Sequence, residues 1–426
     1  MKRAGVAILG LGVVGGGVFQ ILTEKKEYFK QTQGLDITVE NVLERNVERA
    51  KSLGATEEQI ASSIEEIVSN PNVDVVVEVI GGIEPSKTFV LKALMSGKTV
   101  VTSNKELFAK HWQELEAAAK KKNAGLFFEA SCVGGVPIIR TLIDGMQANE
   151  IQSIKGIING TTNYILTKMT NEGYAYEDAL KEAQRLGYAE FNPTADVEGF
   201  DATYKLSILS SLAFNTKVSI DKVYREGITN VDIVDINYGK EMGYTLKLLG
   251  IGKKTKAGIE VRVHPTFIKS DSTLASVNDS FNAVSVVGDS VGEIMLYGRG
   301  AGALPTGSAI VSDVIFALKH NDNFYTTFQN DEGNKGVKFV SDFYSKYYMR
   351  LTVKDEAGVL TKIAGAIAKA GISILEVKQT SAREEGKAEI VVTTHACLES
   401  SMRKAIDKFA TMEEIYQVNG VVRIED

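Results

Sequence analysis

At 426 residues the chain is too long for one hydrophobic core, which points to two or three domains. Hydrophobic residues make up 44% and charged residues 24%, and the formal net charge of -6 argues against a nucleic-acid-binding face. Two cysteines far apart, Cys132 and Cys397, give neither a disulfide framework nor a metal-ligand cluster. With no signal-peptide pattern and no apolar run of about 18 residues, a cytoplasmic protein with no membrane partner is expected.

In chain order, residues 1–130 alternate strand-like and helix-like patterns. Val6-Ala7-Ile8-Leu9 predicts a buried strand, and Val14, Val18, Ile21 and Leu22 then recur at helical spacing. Further strands are predicted at 36–43, 74–80, 98–102 and 125–129, with helices between them. That alternation predicts an α/β domain with a doubly wound parallel sheet. From 131 to 302 the pattern changes. Strands at 154–158, 261–264, 282–287 and 293–297 and helices at 176–186 and 197–214 predict an α+β domain. A helix at 307–319, after Pro305, is expected to return to the first domain, completing it with residues 303–325. The polar stretch 329–335 marks a linker, placed at 326–346. Residues 347–426 then run strand, helix, strand, strand, helix, strand, the ferredoxin-like order.

Gly10-Leu11-Gly12-Val13-Val14-Gly15 is a G-x-G-x-x-G that directly follows a strand and opens a helix, the context its mechanism requires. Gly10 permits the tight turn, Gly12 lets the backbone approach a pyrophosphate, and Gly15 lets the helix pack close. The helix N-terminus attracts the phosphate charge. A Rossmann-type sheet binding a nicotinamide dinucleotide is therefore expected. The second strand ends Leu43-Glu44-Arg45-Asn46. Arg45 can pair with a 2′-phosphate, which favours NADP, whereas Glu44 can hold the ribose hydroxyls of NAD. As plain surface charges, neither would select.

Glu190, Asp196, Glu198 and Asp201 crowd one stretch, with Lys205 just beyond. Asp201 and Lys205 are four apart and share a helix face. On an exposed helix such a pair would be worth a few tenths of a kcal/mol. Here Leu206, Ile208, Leu209, Leu212, Ala213 and Phe214 follow at once, so the helix reads as buried. Carboxylates at the mouth of an apolar helix suit a substrate ammonium group, and a lysine there can donate a proton to a carbonyl oxygen. Lys105, in Val100-Val101-Thr102-Ser103-Asn104-Lys105, follows a strand, where ligands bind in open parallel sheets.

At these residues the chain resembles homoserine dehydrogenase, and its tail from Tyr347 resembles an ACT domain. The resemblance rests on the glycine turn, Glu78-Val-Ile-Gly-Gly82, Thr102-Ser-Asn-Lys105 and Glu129-Ala-Ser-Cys-Val-Gly-Gly-Val-Pro137. Asn159-Gly-Thr-Thr-Asn163, the carboxylate run, Val261-Arg-Val-His-Pro265 and Gly298-Arg-Gly-Ala-Gly302 carry it further. It implies reversible reduction of aspartate 4-semialdehyde to homoserine. Lys205 is then the acid-base candidate and Lys105 its assistant at the same oxygen. Glu190 and Asp201 bind the substrate's amino-acid end, supported by Asp196, Tyr188 and Gly187. Gly10, Gly12, Val13, Val14, Gly15, Arg45, Gly81, Ser103, Asn104, Lys105 and Gly302 fall to the cofactor. A structural sodium ion would use Glu129 and the main-chain oxygens of Cys132, Gly134 and Val136. The ACT resemblance implies L-threonine as effector, and the family implies a homodimer or homotetramer. Val13, Asn46, Asn192 and Ala357 depart from common family patterns. They bear in turn on a phosphate contact, on the NAD option, on a charge role at 192 and on effector affinity. The carboxylate run alone requires only an ammonium-bearing substrate. A dehydrogenase of another amino-acid semialdehyde is thus an alternative within enzymes. A catalytically inactive cofactor-binding sensor is an alternative outside them, against which the intact Lys105, Lys205 and Asp201 count.

Overall fold

The computed structural model describes residues 1–320, 336–381 and 384–425. The expected linker at 329–335 lies outside the described residues. Strands β1 (Lys2–Leu9), β2 (Leu35–Leu43), β3 (Val75–Glu78), β4 (Thr99–Thr102) and β5 (Leu126–Phe127) form a parallel sheet in the order β2-β1-β3-β4-β5. Val6, Ala7, Ile8, Val75, Val76 and Val77 are shielded from water on both faces, which is why these strands read as unbroken apolar runs. The strand order reverses between β1 and β3, so a crevice opens beyond their carboxyl ends.

The return helix packs where the sequence placed it. Helix Ala303–Lys319 lies against helix Val13–Glu24, and the two share a core cluster with β1. The approach needs glycine: a Cβ on Gly17 would sit 2.2 Å from the Ala303 carbonyl oxygen. The helix starts at Ala303 rather than Gly307, with Pro305 inside its first turn, where a missing N–H costs nothing.

The second sheet is mixed. It contains β6 (Ile151–Ile157), β7 (Tyr224–Arg225), β8 (Tyr244–Thr255), β9 (Gly258–Lys269), β10 (Phe281–Gly288), β11 (Gly292–Arg299), β12 (Tyr344–Lys354), β13 (Ile374–Ser381), β14 (Lys387–Thr394), β15 (Cys397–Leu398) and β16 (Ile415–Glu425). Its main path runs β11-β10-β6-β8-β9-β16-β12-β14-β13. The tail's own order, β16-β12-β14-β13, is antiparallel and ferredoxin-like, as expected. The tail is also fused into the middle sheet, because Arg423, Ile424 and Glu425 of β16 pair in parallel with Thr266, Phe267 and Ile268 of β9.

That seam is ionic. The Glu425 carboxylate takes Arg262 Nη2 at 2.9 Å and Lys155 at 3.3 Å, with Lys253 also in contact. Arg423 forms a two-pronged contact with Glu399 at 2.9 and 2.7 Å and reaches Glu226 at 2.7 Å. Arg350 does the same for the neighbouring helix, with Nε 2.6 Å from Asp235 Oδ1. Burial alone would raise the Glu425 carboxyl, but Arg262 and Lys253 beside it hold it well below the carboxylate range.

Two expectations change. The helix predicted at 197–214 is two helices, Thr194–Val197 and Phe200–Ala213, because Gly199 turns the chain through a left-handed φ of 79°. Strand β8 and helix Gly160–Glu172 were not anticipated.

Candidate active site

The glycine turn has the predicted geometry. Gly10 has a φ of 93° and donates its N–H to the Leu43 carbonyl at 2.9 Å, tying β1 to β2. A Cβ on Gly15 would lie 1.9 Å from the Gly10 oxygen, so the residue must be glycine for the helix to seat on its turn. A Cβ on Gly12 would meet nothing within 4 Å, leaving its face open to a ligand. No acidic side chain occupies the first turn of helix Val13–Glu24, so its positive end is uncompensated. Val13 is exposed, and Val14 faces the central cleft.

Beside the turn, a cleft of about 920 Å³ is walled by Gly10, Glu44, Arg45, Ile80, Gly81 and Phe89, among others. Arg45 stands exposed on its rim. Glu44 is committed: its oxygens accept the amides of Leu11 at 2.7 Å and Asn46 at 3.0 Å. Burial would raise its carboxyl, but these amides outweigh it and lower it. Asn46 caps helix Val47–Ser52 by accepting from the Arg49 amide, and Arg49 Nε donates to the Leu11 carbonyl at 2.6 Å. Arg49 thus braces the turn, a role the motif itself does not announce.

At the carboxyl end of β3, the fully buried Glu78 accepts from the Ile80 and Gly81 amides at 2.9 and 3.2 Å and from the Thr102 hydroxyl at 2.7 Å. The Thr102 oxygen in turn accepts the Asn104 amide, and Asn104 Nδ2 donates to the Gly82 carbonyl at 2.6 Å. Asn104 also caps helix Lys105–Lys122, whose first residue is Lys105. One network therefore shapes the Gly81–Gly82 loop and aims Lys105. Ser103 lies at the same junction, on the cleft wall.

The two lysines converge on one carboxylate. Asp201 Oδ1 is 2.9 Å from Lys105 Nζ, and its Oδ2 is 2.7 Å from Lys205 Nζ. Lys205 also donates to the Ile158 carbonyl at 2.9 Å. Asn159 Nδ2 donates to both Asp201 Oδ2 and Asp196 Oδ1, at 2.9 and 2.7 Å. Burial would raise the Asp201 carboxyl, yet Lys205 and Lys105 hold it well below the usual range. Asp201 in return raises Lys105. Burial and the Asp201 charge push the Asp196 carboxyl up. Glu190 is exposed and lines the same cleft as Gly81, Gly82, Lys105 and Asp196. Gly187, Tyr188, Gly302, Gly134 and Val14 line the adjoining cleft of about 500 Å³ with Lys105, Asp201 and Lys205. The structure therefore gathers Lys105, Lys205, Glu190, Asp196 and Asp201 around adjoining clefts, while Glu198 turns aside to accept the Thr229 hydroxyl at 3.0 Å. It also pairs Asp201 with both lysines, Lys105 as well as Lys205.

The segment expected to hold an ion is buried. Glu129 Oε1 and Oε2 accept the amides of Ile139 and Arg140, both at 2.8 Å, and burial with Asp313 nearby raises its carboxyl to about 7. Val133 and Gly134 are consecutive left-handed residues, with φ of 56° and 54°, which turn the successive carbonyls of this loop. No group of three or more His, Cys, Asp or Glu side chains able to hold a metal occurs among the described residues.

A dinucleotide sheet whose crevice leads to a lysine pair defines a nicotinamide-dependent dehydrogenase. Family models narrow this: "Homoserine dehydrogenase, NAD binding domain" matches residues 10–129, "Homoserine dehydrogenase" residues 137–315 and "ACT domain" residues 347–413. The homoserine dehydrogenase of Bacillus subtilis is 39% identical over 428 residues, covering 100% of this chain and 99% of the relative. That of Neisseria gonorrhoeae is 41% identical over 432 residues, with the same coverage. A crystal structure of a homoserine dehydrogenase from Thiobacillus denitrificans superposes with a TM-score of 0.93 at 39% identity, covering 100% of this chain and 99% of that one. A hyperthermophilic archaeal homoserine dehydrogenase in complex with NADPH matches with a TM-score of 0.65 at 30% identity, over 76% of this chain and 100% of that one. The chain belongs to the homoserine dehydrogenase family.

Asp201→Asn should cost about 3–5 kcal/mol of unfolding free energy near neutral pH, because the buried Lys205 ammonium loses its counter-charge. The Asp201 carboxyl is depressed in the folded state, so its contribution is present above the unfolded value of about 3.9 and lost as pH falls below it. Urea denaturation should show the gap between variant and wild type closing below about pH 4; a gap independent of pH would contradict the ion triad.

Proposed function

We propose that this chain catalyses the reversible, nicotinamide-dependent reduction of L-aspartate 4-semialdehyde to L-homoserine. The observation that carries this reading is the state of Lys205. An ammonium has three N–H donors. Two go to Asp201 and the Ile158 carbonyl, and one remains for an oxygen in the cleft. Asp201 pairs with both lysines and aims them. As the aldehyde oxygen gains negative charge, Lys205 gives it a proton and Lys105 stabilises it from the second side. In the oxidative direction the same groups receive the proton. Glu190 and Asp196 hold the substrate ammonium, supported by Tyr188 and Gly187. Asp201 shares in binding the substrate's amino-acid end and orients the lysines.

Gly10, Gly12, Val13, Val14, Gly15, Gly81, Ser103, Asn104 and Gly302 would hold the dinucleotide, with the open helix end taking its pyrophosphate. The bound nicotinamide supplies or accepts the hydride. We assign NADP as the preferred form: Arg45 stands exposed on the cleft rim, while the Glu44 carboxylate already accepts two amides. The turned loop supports a structural sodium ion on the main-chain oxygens of Glu129, Cys132, Gly134 and Val136, because the Glu129 side chain already serves backbone amides. The sheet's open edges, β11 and β13, support a homodimer or homotetramer. The two free, buried cysteines support a cytoplasmic location. In domain terms we assign 1–130 with 303–325 to the cofactor, 131–302 to the substrate and 347–426 to regulation, with L-threonine as effector.

Lys205→Ala should cut homoserine turnover roughly 100- to 10,000-fold while NADPH binding, followed by fluorescence, stays close to wild type. Equal turnover would remove Lys205 from the chemistry. Arg45→Glu should lower kcat/KM for NADP by about 10- to 100-fold and leave NAD little changed, the worth of a charge-assisted phosphate contact. A parallel loss with both cofactors would overturn the assignment. L-Threonine at millimolar concentration should change the steady-state rate with homoserine; a flat titration would reduce the tail to a structural module.

A further inference from the structure

Asn159 is the point where the lysine site, the second carboxylate and helix Gly160–Glu172 meet. Its Oδ1 accepts the Thr162 amide at 2.8 Å and the Thr162 hydroxyl at 2.9 Å, so it caps that helix. A backbone amide can only donate, which fixes the orientation of the side chain. Its NH₂ is turned away from the helix, toward Asp196 and Asp201. The residue is only 5% exposed, so water does not substitute for it.

The geometry has a consequence for charge. Asp201 is neutralised by two lysines, whereas among the described residues Asp196 forms no ion pair with a lysine. Two carboxylates held close in a partly dry site do not both stay ionised without donors. An amide supplies those donors without adding a third fixed cation, which would compete with an incoming ammonium. Asp196 Oδ2 has no hydrogen-bond partner among the described residues. The charged groups facing this carboxylate are Asp201 and Lys205 from helix Phe200–Ala213, Lys105 and Glu106 from helix Lys105–Lys122, and Glu190 from the cleft rim.

We propose that Asn159 is a positioning residue for the reaction: by giving one N–H to each carboxylate it holds Asp196 as a charged acceptor for the substrate ammonium while Asp201 stays with the lysines. This rests on the reading above that Asp196 helps bind an amino-acid substrate. Burial and Asp201 push Asp196 up, and the hydrogen bond from Asn159 opposes them.

Two variants separate this role from plain helix capping, because serine and aspartate are both good caps. Asn159→Ser keeps a cap and loses the donors. Asn159→Asp keeps cap and size and sets a third carboxylate against the other two. In Asn159→Ser the acid limb of kcat/KM for homoserine should move up by about one pH unit, equivalent to about tenfold weaker ammonium binding at a given acid pH. It should move further in Asn159→Asp. The loss should fall on KM for homoserine, with KM for NADP unchanged. Acid limbs that coincide with wild type in both variants would overturn the proposal and leave Asn159 as a cap.

If wild type does not turn over homoserine, the functional reading fails, and melting temperature against pH decides the proposal instead. A carboxyl raised in the folded state contributes stability while protonated and loses it as pH rises. Asn159→Ser should therefore lose stability relative to wild type as pH rises, and Asn159→Asp should lose more. Parallel curves for the three proteins would then overturn it.

Discussion

The Asp201 carboxylate, clamped between Lys105 and Lys205, is the constraint around which the site is built. At ~3 Å and an effective dielectric of ~20, one unit pair gains about 5 kcal/mol. Stripping water from each ion costs several kcal/mol, so a single buried pair does little better than break even. A second lysine changes the balance. The Lys105 side chain keeps 41% of its surface in water while standing 2.9 Å from Asp201. Its attraction to Asp201 outweighs the cost of its own burial. The direction of the Asp201 carboxyl follows: burial opposes its charge, and two cations overcome burial.

Holding that triad requires three distant segments to end at one place. Lys105 opens a helix at the carboxyl end of β4, aimed by the network from Glu78 to Asn104. Ile158 and Asn159 leave β6 and supply a carbonyl and an amide. Asp201 and Lys205 sit in the first turns of a helix pressed onto the sheet. The pressing is visible in the strands beneath it. A Cβ on Gly250 would lie 3.5 Å from Leu206 Cδ1 of that helix, and one on Gly252 would lie 2.8 Å from its Ser210 Oγ. The same sheet continues through β8 and β9 to β16, so the tail and the lysine site share one hydrogen-bonded frame.

How far the sequence discloses this depends on whether the signal is local. The parallel strands were legible because burial on both faces leaves unbroken valine and isoleucine runs. The glycine turn was legible because Gly10 and Gly15 answer to backbone contacts within a few residues. β8 was hidden for the opposite reason. It carries Gly250, crowded by Ile158, and Gly252, small for the sake of a helix about forty positions earlier, and the buried Lys247, whose partners are Asn163 and the Val277 carbonyl. Each of these reads locally as a reason not to be a strand. Gly199 shows the same limit: its neighbours are helix formers, and only its left-handed backbone divides the helix. The lysines and carboxylates were found as residue types. The Asp201–Lys205 pair was legible from its i,i+4 spacing, but the second partner was not, since nothing in the spacing says that Asp201 also faces Lys105.

The cofactor end shows how a motif can hide a second task. An acid at the end of β2 is expected to meet the ribose hydroxyls. Glu44 stands there, but two of its roughly four lone-pair sites go to the amides of Leu11 and Asn46. Arg49 grips the other side of Leu11 through its carbonyl. The residue between Gly10 and Gly12 is thus held at both its N–H and its C=O by side chains from the β2 side. Glycines at 10, 12 and 15 make the turn possible, but glycine is flexible and loses the most conformational entropy on folding. Glu44 and Arg49 supply the stiffness that the glycines lack. The phosphate-binding turn is therefore a preorganised unit of two elements, with Arg45 exposed beyond Glu44 on the open rim.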